Sequence, residues 1–138
     1  MFVTSLETAA ASASGSESEV VERPSWDAVV RAVQTLDGGA RDSGVLNGPE
    51  AAHMGIVGGH DGQYVVAGRR RDGKPFILTS GERRGAWIAV AVGGQENQYA
   101  DNEVVALEHA LAAAHTFFES GECDPRFQWR EKAARMTA

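Results

Sequence analysis

The side chains of this 138-residue chain that could bind a metal ion are four histidines and the acidic residues near them. His109 and His115 would point in different directions on one helix, unlike the i, i+4 histidine pairs that hold zinc. His60 and Asp61 stand between glycines, and both residue types are common in tight turns for conformational reasons. The sequence therefore predicts no metal site.

Residues for nucleophilic or cofactor chemistry are equally sparse. Cys123 is the single cysteine, so no intrachain disulfide can form, and nothing in the sequence places a base beside its thiol. The glycines in residues 55–59 lack the strand, GxGxxG and helix order of a dinucleotide site. Residues 79–82 are typical of a turn and lack the G-x-S-x-G pattern of a nucleophile elbow. We expect no catalytic residue, no cofactor and no enzymatic activity.

The last third of the chain is acidic. Residues 94–125 contain no lysine or arginine, and their acidic residues are Glu96, Asp101, Glu103, Glu108, Glu119, Glu122 and Asp124. With a formal net charge of −6, the chain should be repelled by phosphate backbones, so we expect no nucleic-acid partner. A segregated acidic face can steer a basic protein partner, and charge alone leaves a solvated helix face open as the alternative.

The middle of the chain is basic, with Arg69, Arg70, Arg71, Lys74, Arg83 and Arg84. No aromatic stacking pattern accompanies these residues, which argues against single-stranded nucleic-acid binding. Positive side chains at hairpin tips also discourage edge-to-edge sheet aggregation. A solvated hairpin edge is therefore the favoured interpretation.

The hydropathy pattern places the protein away from membranes. No apolar run approaches the roughly 20 residues of a membrane-spanning helix, and the N-terminus lacks the basic and apolar regions of a secretory signal. We expect a cytoplasmic protein with no membrane contact.

The first part of the chain divides into a leader and a helix. Residues 8–18 are small, polar and repetitive, which predicts a flexible leader over residues 1–18 or a loop after a short first strand, with residues 1–6 able to pair at a sheet edge. Residues 19–23 are typical of a short strand. An apolar stripe at helical spacing starts at Trp26, with Ser25 as its N-cap and Gly38 and Gly39 as its end.

The rest of the chain predicts closely spaced strands and a second helix. Residues 40–50 and 93–102 are expected to be loops, with four strands between them and an Asp72-Gly73 hairpin turn. The second helix is expected over residues 103–119, with Asp101 and Asn102 as its caps and Gly121 as its end. A final strand is expected over residues 126–130. The sequence predicts one α+β domain over residues 19–131: an antiparallel sheet of about five or six strands with two main helices on one face. Residues 132–138 should be a frayed tail.

The order of these segments resembles the Imm1 family of bacterial immunity proteins. The resemblance covers residues 20–131, and it is most specific in the loop at Gly93, Gly94 and Gln95, in the alanine-rich helix and in the closing Trp129. Further residues that carry it are Trp26, Leu36-Asp37-Gly38, Gly59-His60-Asp61-Gly62-Gln63-Tyr64-Val65-Val66, Tyr99, Val104-Val105, Phe118 and Gly121. The family is marked by a Trp and a Glu near the C-terminus; here Arg130 separates Trp129 from Glu131.

The resemblance implies a non-enzymatic protein that neutralises a cognate polymorphic toxin, frequently one with a deaminase-superfamily domain. A deaminase must admit a flipped or single-stranded base, so an acidic loop laid over the opening would exclude the nucleic acid. The candidate partner-binding residues are Gln95, Glu96, Tyr99, Asp101, Glu103, the turn at His60 and Asp61, and Trp129. Two alternatives stay open at this point: a chaperone or adaptor for a secreted effector, and a small-ligand-binding regulatory domain.

Overall fold

A computed structural model of the chain describes residues 2–12, 15–37, 41–82, 84–92 and 95–131. The two helices are α1 (Trp26–Gln34) and α2 (Leu107–Ser120). The strands are β1 (Ser5–Ser12), β2 (Gly15–Glu22), β3 (Arg41–Asn47), β4 (His53–Gly58), β5 (Tyr64–Arg69), β6 (Pro75–Thr79), β7 (Trp87–Val92), β8 (Gln95–Ala100) and β9 (Gln128–Arg130).

Seven strands form one antiparallel sheet in the order β2-β1-β3-β4-β5-β6-β9. The predicted hairpin between β5 and β6 is present: Gly73 has a φ of 87°, and the Asp72 carboxylate accepts a hydrogen bond from the Lys74 N–H at 3.0 Å. Positive φ is strained for residues with a Cβ, so this turn requires glycine. The remaining strands, β7 and β8, pair with each other in a separate two-stranded sheet.

Both helices pack on one face of the large sheet. Val29 and Val33 of α1 and Phe117 of α2 are buried in the same apolar cluster as Leu46 and Met54 of the sheet. Phe117 meets the rings of Phe2 and Phe76 at centroid distances of 5.5 and 6.2 Å. We call this cluster the helix-side core.

The β7–β8 hairpin covers the opposite face of the large sheet. Val65 of β5, Ile77 of β6 and Val90 of β7 are buried together there, in a cluster that we call the hairpin-side core. Successive residues of a strand point to opposite faces, so Val65 packs in the hairpin-side core and Val66 packs in the helix-side core. The predicted α+β class is confirmed, and the strands are more numerous than the predicted five or six: seven in one sheet and two in another.

The N-terminal region differs from the predicted flexible leader. β1 and the start of β2 occupy residues 5–12 and 15–18, and β1 lies between β2 and β3. Small side chains gave no burial signal, but backbone pairing does not require large ones, and Val3 and Leu6 anchor the strand in the helix-side core. The boundary expected at residue 18 therefore falls inside β2. The division into leader, domain and tail stays a prediction, and residues 132–138 lie outside the described part.

Two predicted loops are strands. Residues 41–47 form β3, whose Leu46 is fully buried, and residues 95–100 form β8. The glycines and polar residues in these segments hid the strand pattern. In each case the pairing comes from a neighbouring strand, β1 and β4 for β3, and β7 for β8.

The ends of α1 and α2 show which of the predicted capping residues lie at the helix termini. The Ser25 hydroxyl accepts the Ala28 N–H at 3.1 Å, as predicted for an N-cap, and Gly121 ends α2 with a φ of 75°. α1 ends at Gln34 with Thr35 as its C-cap, and the predicted stop at Gly38 and Gly39 lies outside the described residues. α2 begins at Leu107 and not at residue 103, because a separate short 3-10 turn takes up Asp101–Glu103.

Candidate interaction surface

The outward face of the β7–β8 hairpin carries two exposed polar side chains. Val90 points inward to the hairpin-side core, so its neighbours Ala89 and Ala91 point outward, opposite Gln98 and Glu96. Glu96 and Gln98 are exposed. The β7 residues directly opposite them are alanines, and Trp87, two residues before Ala89, shares the same face.

Gln95 and Asn97 lie on the same strand. The backbone of Gln95 pairs with Val92 at the turn end of the hairpin, and Asn97 is exposed opposite Val90. The segment predicted as a polar loop is therefore a strand with a defined backbone. A fixed surface loses less conformational entropy on binding than a mobile loop does.

Asp101 follows β8 and shapes the adjacent loop. Its carboxylate accepts hydrogen bonds from the N–H groups of Arg84 and Ala86, each at 3.1 Å, and its own N–H donates to the Ala86 carbonyl at 3.1 Å. Asp101 is half-buried and was predicted to cap α2. It instead joins the loop after β6 to the end of β8.

A cavity of about 520 Å³ lies beside Asp101. Its lining is mostly polar and consists of Ser80, Glu82, Arg84, Ile88, Asp101 and Asn102. Glu82 is exposed at its rim. Glu82 and Asp101 give this cavity two carboxylates and Arg84 gives it one cation. The Asp101 carboxylate is already bound to backbone N–H groups, so Glu82 is the carboxylate available to a lysine or arginine of a partner.

Glu103 lies beneath this surface and is fully buried, at 0% exposure. It accepts the Ala100 N–H at 2.9 Å and pairs with the Arg130 guanidinium at 3.4 Å. Arg130 also donates to the Asn102 side-chain oxygen at 3.1 Å. Glu103 was predicted as a partner contact in the first turn of α2; in this arrangement it ties β8 to β9 and is not presented to a partner.

Tyr99 is half-buried and packs on the hairpin-side core. Burial raises the pKa of its hydroxyl, and the negative charge of Glu103 raises that pKa further. The ring therefore supports the hairpin from inside. Its exposed part lies between the outward face of β8 and the 3-10 turn at Asp101–Glu103.

The turn at His60 and Asp61 joins β4 to β5 and is exposed. The His60 Nε2 and Asp61 Oδ2 atoms are 3.4 Å apart, and Asp61 has a φ of 56°. Gly58, just before this turn, lies against β7: a Cβ built there would be 3.2 Å from Val90 Cγ1. The turn is therefore next to the β7–β8 hairpin.

Trp129 lies on the other face of the sheet. Its ring meets Phe76 edge-on at 5.3 Å in the helix-side core, and its Nε1–H donates to the Asp124 carbonyl at 2.9 Å. Asp124 is itself buried, and hydrogen bonds from Arg126 and Thr116 hold its pKa well below its ordinary value. Trp129 is thus separated from Glu96 and Asp101 by the thickness of the sheet.

The structure places Glu96 near the turn of the hairpin and Tyr99 and Asp101 at the other end of β8, with Asp101 five residues after Glu96, or roughly 16 Å along the strand. The turn at His60 and Asp61 lies beside the same hairpin. The structure does not bring Glu103 or Trp129 to that surface. The sequence analysis missed Glu82, because this residue stands in a turn 19 positions before Asp101 and no spacing links the two. We call Glu82, Glu96, Gln98 and Asp101 the acidic hairpin surface.

Two further findings concern the described residues alone. They contain no group of three His, Cys, Asp or Glu side chains placed to hold a metal ion. None of their helices has both the length and the apolar character needed to span a bilayer.

Comparison with known proteins gives a family match and a similarity of fold. The sequence model of the family described as immunity protein Imm1 matches residues 8–131. The comparison with curated proteins found no match. Among solved structures, a hypothetical protein from Neisseria gonorrhoeae superposes with a TM-score of 0.60 at 13% sequence identity, covering 91% of this chain and 94% of that one. At this identity the similarity concerns the fold alone.

Proposed function

The chain belongs to the Imm1 family of immunity proteins, and we propose that the toxin it counteracts is a polymorphic toxin with a deaminase-superfamily domain. Membership of this family identifies a toxin as the partner of this chain. The proposal adds the class of the toxin and the means by which it is neutralised. The immunity protein binds over the active site of the toxin and occludes it. This takes place in the cytoplasm, and the immunity protein catalyses no reaction.

The observation that carries the proposal is the acidic hairpin surface. It presents Glu82, Glu96 and Gln98 outward on a paired strand and an adjacent loop, beside a cavity of about 520 Å³. Backbone pairing and the Asp101 hydrogen bonds fix the geometry of this surface before any partner arrives. Such preorganisation favours tight association.

Charge complementarity connects this surface to a nucleic-acid-acting enzyme. A deaminase takes its target base from single-stranded or flipped-out nucleic acid, and the approach to its pocket must attract phosphates, chiefly with lysine and arginine. An acidic protein surface laid on that approach pairs with the same cations. It then blocks the substrate by occupying its place.

The other predicted residues take distinct parts in this proposal. His60 and Asp61, on the neighbouring turn, are positioned to extend the contact, and the exposed part of Tyr99 supplies an aromatic anchor. Glu103 ties β8 to β9 beneath the hairpin, and Trp129 packs in the helix-side core on the opposite face of the sheet. Gln95 remains a proposed contact at the turn end of the hairpin.

A growth-rescue experiment tests the proposed function. The C-terminal domain encoded by the gene next to this one is expressed in a bacterial host with and without this protein, and the DNA of both cultures is sequenced shortly after induction, before cells that lack the protein are lost. We expect sustained growth only with the protein present, and base transitions only in its absence. Rescue without transitions at any stage would retain immunity but refute a DNA deaminase, and failure to rescue from an active toxin would contradict the proposal.

A charge-reversed variant in the same host tests the surface. Glu82→Lys with Glu96→Lys should abolish rescue and slow association with the purified toxin domain about tenfold at low salt, with a weaker salt dependence, because rim charges act mainly on the association rate. The matched control is Glu108→Lys with Glu119→Lys, two exposed residues of α2 that give the same net charge. Equal association rates for the two folded variants would exclude the acidic hairpin surface.

A further inference from the structure

We infer that β2 is a second docking site of this protein, which accepts an edge strand with basic side chains from the toxin. This inference rests on the proposed function, because it names the toxin as the occupant. It concerns a different part of the molecule from the acidic hairpin surface: β2 is the end strand of the large sheet, whereas β7 and β8 cover the face formed by β4, β5 and β6.

The first observation is the length of the open edge. β2 has eight residues and pairs with β1 on one side only, whereas β9 at the opposite end of the sheet has three residues. Long open edges invite pairing with another chain, and proteins usually shorten, cover, break or charge them. Over its described residues β2 is protected by the charge of its glutamates, which repels an acidic strand and attracts a basic one.

The second observation is the set of hydrogen-bonding groups that β2 leaves open. The Arg23 N–H donates to the Thr4 carbonyl at 2.9 Å, and the register pairs Leu6 with Val21. Residues of an antiparallel pair face the partner strand alternately. The N–H groups of Val21 and Arg23 therefore point to β1, while those of Val20 and Glu22 point away from the sheet.

The third observation is apolar exposure. Among the side chains that the structure describes, the large apolar ones left exposed are Val20, at 53%, and Val21, at 38%. They are neighbours on one strand, so they lie on opposite faces of the edge. On the helix side, Val21 borders a groove of about 360 Å³ that runs between β1, β2 and α1 and also contains Leu6 and Ala32. An added strand would cover both valines.

Charge identifies the occupant. The sequence of β2, GSESEVVE, holds three glutamates and no lysine or arginine, and Glu19 and Glu22 are exposed on opposite faces. Opposite charges across a strand pair stabilise it, and like charges directly opposite destabilise it. On the helix side, Arg31 and Arg41 line the same groove as Glu19 and offset its charge. A strand that places lysine or arginine opposite Glu22, on the other face, therefore fits this edge, as expected near the nucleic-acid approach of the toxin.

A second copy of this chain is the alternative occupant. In a register that pairs the outward N–H groups of both copies, Val20 lies opposite Glu22 and Glu19 lies opposite Arg23 of the other copy. Slow exchange of the Val20 and Glu22 amides in the free protein would indicate this self-association and contradict the inference.

Amide hydrogen exchange on the full chain tests this inference directly. In the free protein the Val20 and Glu22 amides should exchange fast. Saturation with the purified toxin domain should slow both at least tenfold, while the Glu19 and Val21 amides, already paired with β1, act as internal references. Unchanged fast exchange at Val20 and Glu22 in a saturated complex would overturn the docking site and leave the proposed function intact. Absence of any complex would refute both.

A backbone variant gives an independent readout. Val20→Pro removes an outward N–H without removing a donor to β1, and proline is tolerated at such edge positions. We expect the dissociation constant of the toxin complex to rise about tenfold. Val20→Thr is the matched control, since it keeps the N–H and the β-branched side chain, and it should change affinity less than threefold. Equal affinities for the two folded variants would contradict strand addition. If Val20→Pro does not fold, the hydrogen-exchange measurement alone tests whether the toxin pairs with β2.

Discussion

The two faces of the large sheet are held by different kinds of interaction. The helix-side core contains aromatic and large aliphatic residues such as Phe117, Met54 and Leu46, all fully buried. The hairpin-side core rests on Val65, Ile77 and Val90, with a buried polar group, Glu103 and its partner Arg130, next to it. The helix side supplies most of the hydrophobic stabilisation, which scales with buried apolar area. The hairpin side obtains its fixed shape from a few specific hydrogen bonds.

This difference bears on the proposed function. The acidic hairpin surface stands on the thinner core, where Asp101 and Glu103 fix the backbone through side-chain acceptors. Because these side-chain acceptors hold the backbone, the surface carboxylates and amides keep their arrangement without a large apolar core beneath them. We therefore expect substitutions on the two faces to separate stability from partner binding.

The largest expected effect comes from emptying the helix-side core. Phe117→Ala should destabilise the protein by about 3–5 kcal/mol, because it removes buried ring contacts and leaves a cavity. The matched change on the other face, Val90→Ala, removes two methyl groups and should cost about 2 kcal/mol. Urea unfolding followed by circular dichroism measures both. A loss from Val90→Ala equal to that from Phe117→Ala would refute the ranking of the two cores.

A somewhat smaller effect is expected from the buried carboxylate of the hairpin side. Glu103→Ala leaves the Ala100 N–H without its acceptor and Arg130 without its carboxylate, so we expect a loss of about 3 kcal/mol. Glu103→Gln keeps an acceptor for Ala100 and should lose less. Both variants should also lower the pKa of Tyr99, which the charge of Glu103 raises, as measured by the ultraviolet absorbance of tyrosinate.

The outcome for Tyr99 separates two explanations. A stability loss without a change in the Tyr99 pKa would mean that Glu103 acts through packing alone. A loss below about 1 kcal/mol for Glu103→Ala would show that the ion pair does not hold the hairpin side, since broken buried pairs ordinarily cost more.

The same two faces show how far the sequence could predict the structure. Local signals succeeded where one or two neighbouring residues decide the geometry, as at the Ser25 cap, the Asp72-Gly73 turn and the Gly121 helix end. They failed at Glu103, which looks like a first-turn residue of a helix. Its partner Arg130 lies 27 positions further along the chain, and no local pattern records that contact.

The sequence predicted the residue types of the candidate surface but not its secondary structure. The acidic and amide residues after position 94 indicated a polar surface, and Glu96 and Gln98 are exposed as expected. A hairpin that packs through one face needs few apolar residues, so β8 carried no strand pattern and was expected to be a loop. The contribution of Glu82 depends on tertiary folding and had no signal in the sequence.

The smallest expected effect concerns a polar group on the otherwise apolar helix side. His109 of α2 lies against the Phe127 ring at a centroid distance of 4.3 Å, and its buried Nε2 has no hydrogen-bond partner among the described residues. Burial lowers the pKa of His109 from its ordinary value of 6.5. The unfolded chain therefore binds a proton more readily than the folded one, so stability is complete above pH 6.5 and falls as the pH drops below it.

Replacement of His109 tests this dependence. We expect the wild-type free energy of unfolding to decrease between pH 7.5 and 5.5 by about 1 kcal/mol or less, and His109→Leu, which has no titrating group, to lose that share of the decrease. Urea unfolding at the two pH values measures the difference. An identical pH dependence in His109→Leu would show that groups other than His109 titrate. It would mean that the helix-side core accommodates the imidazolium by opening at Phe127. That result would weaken the contrast between a tightly packed helix side and a polar hairpin side.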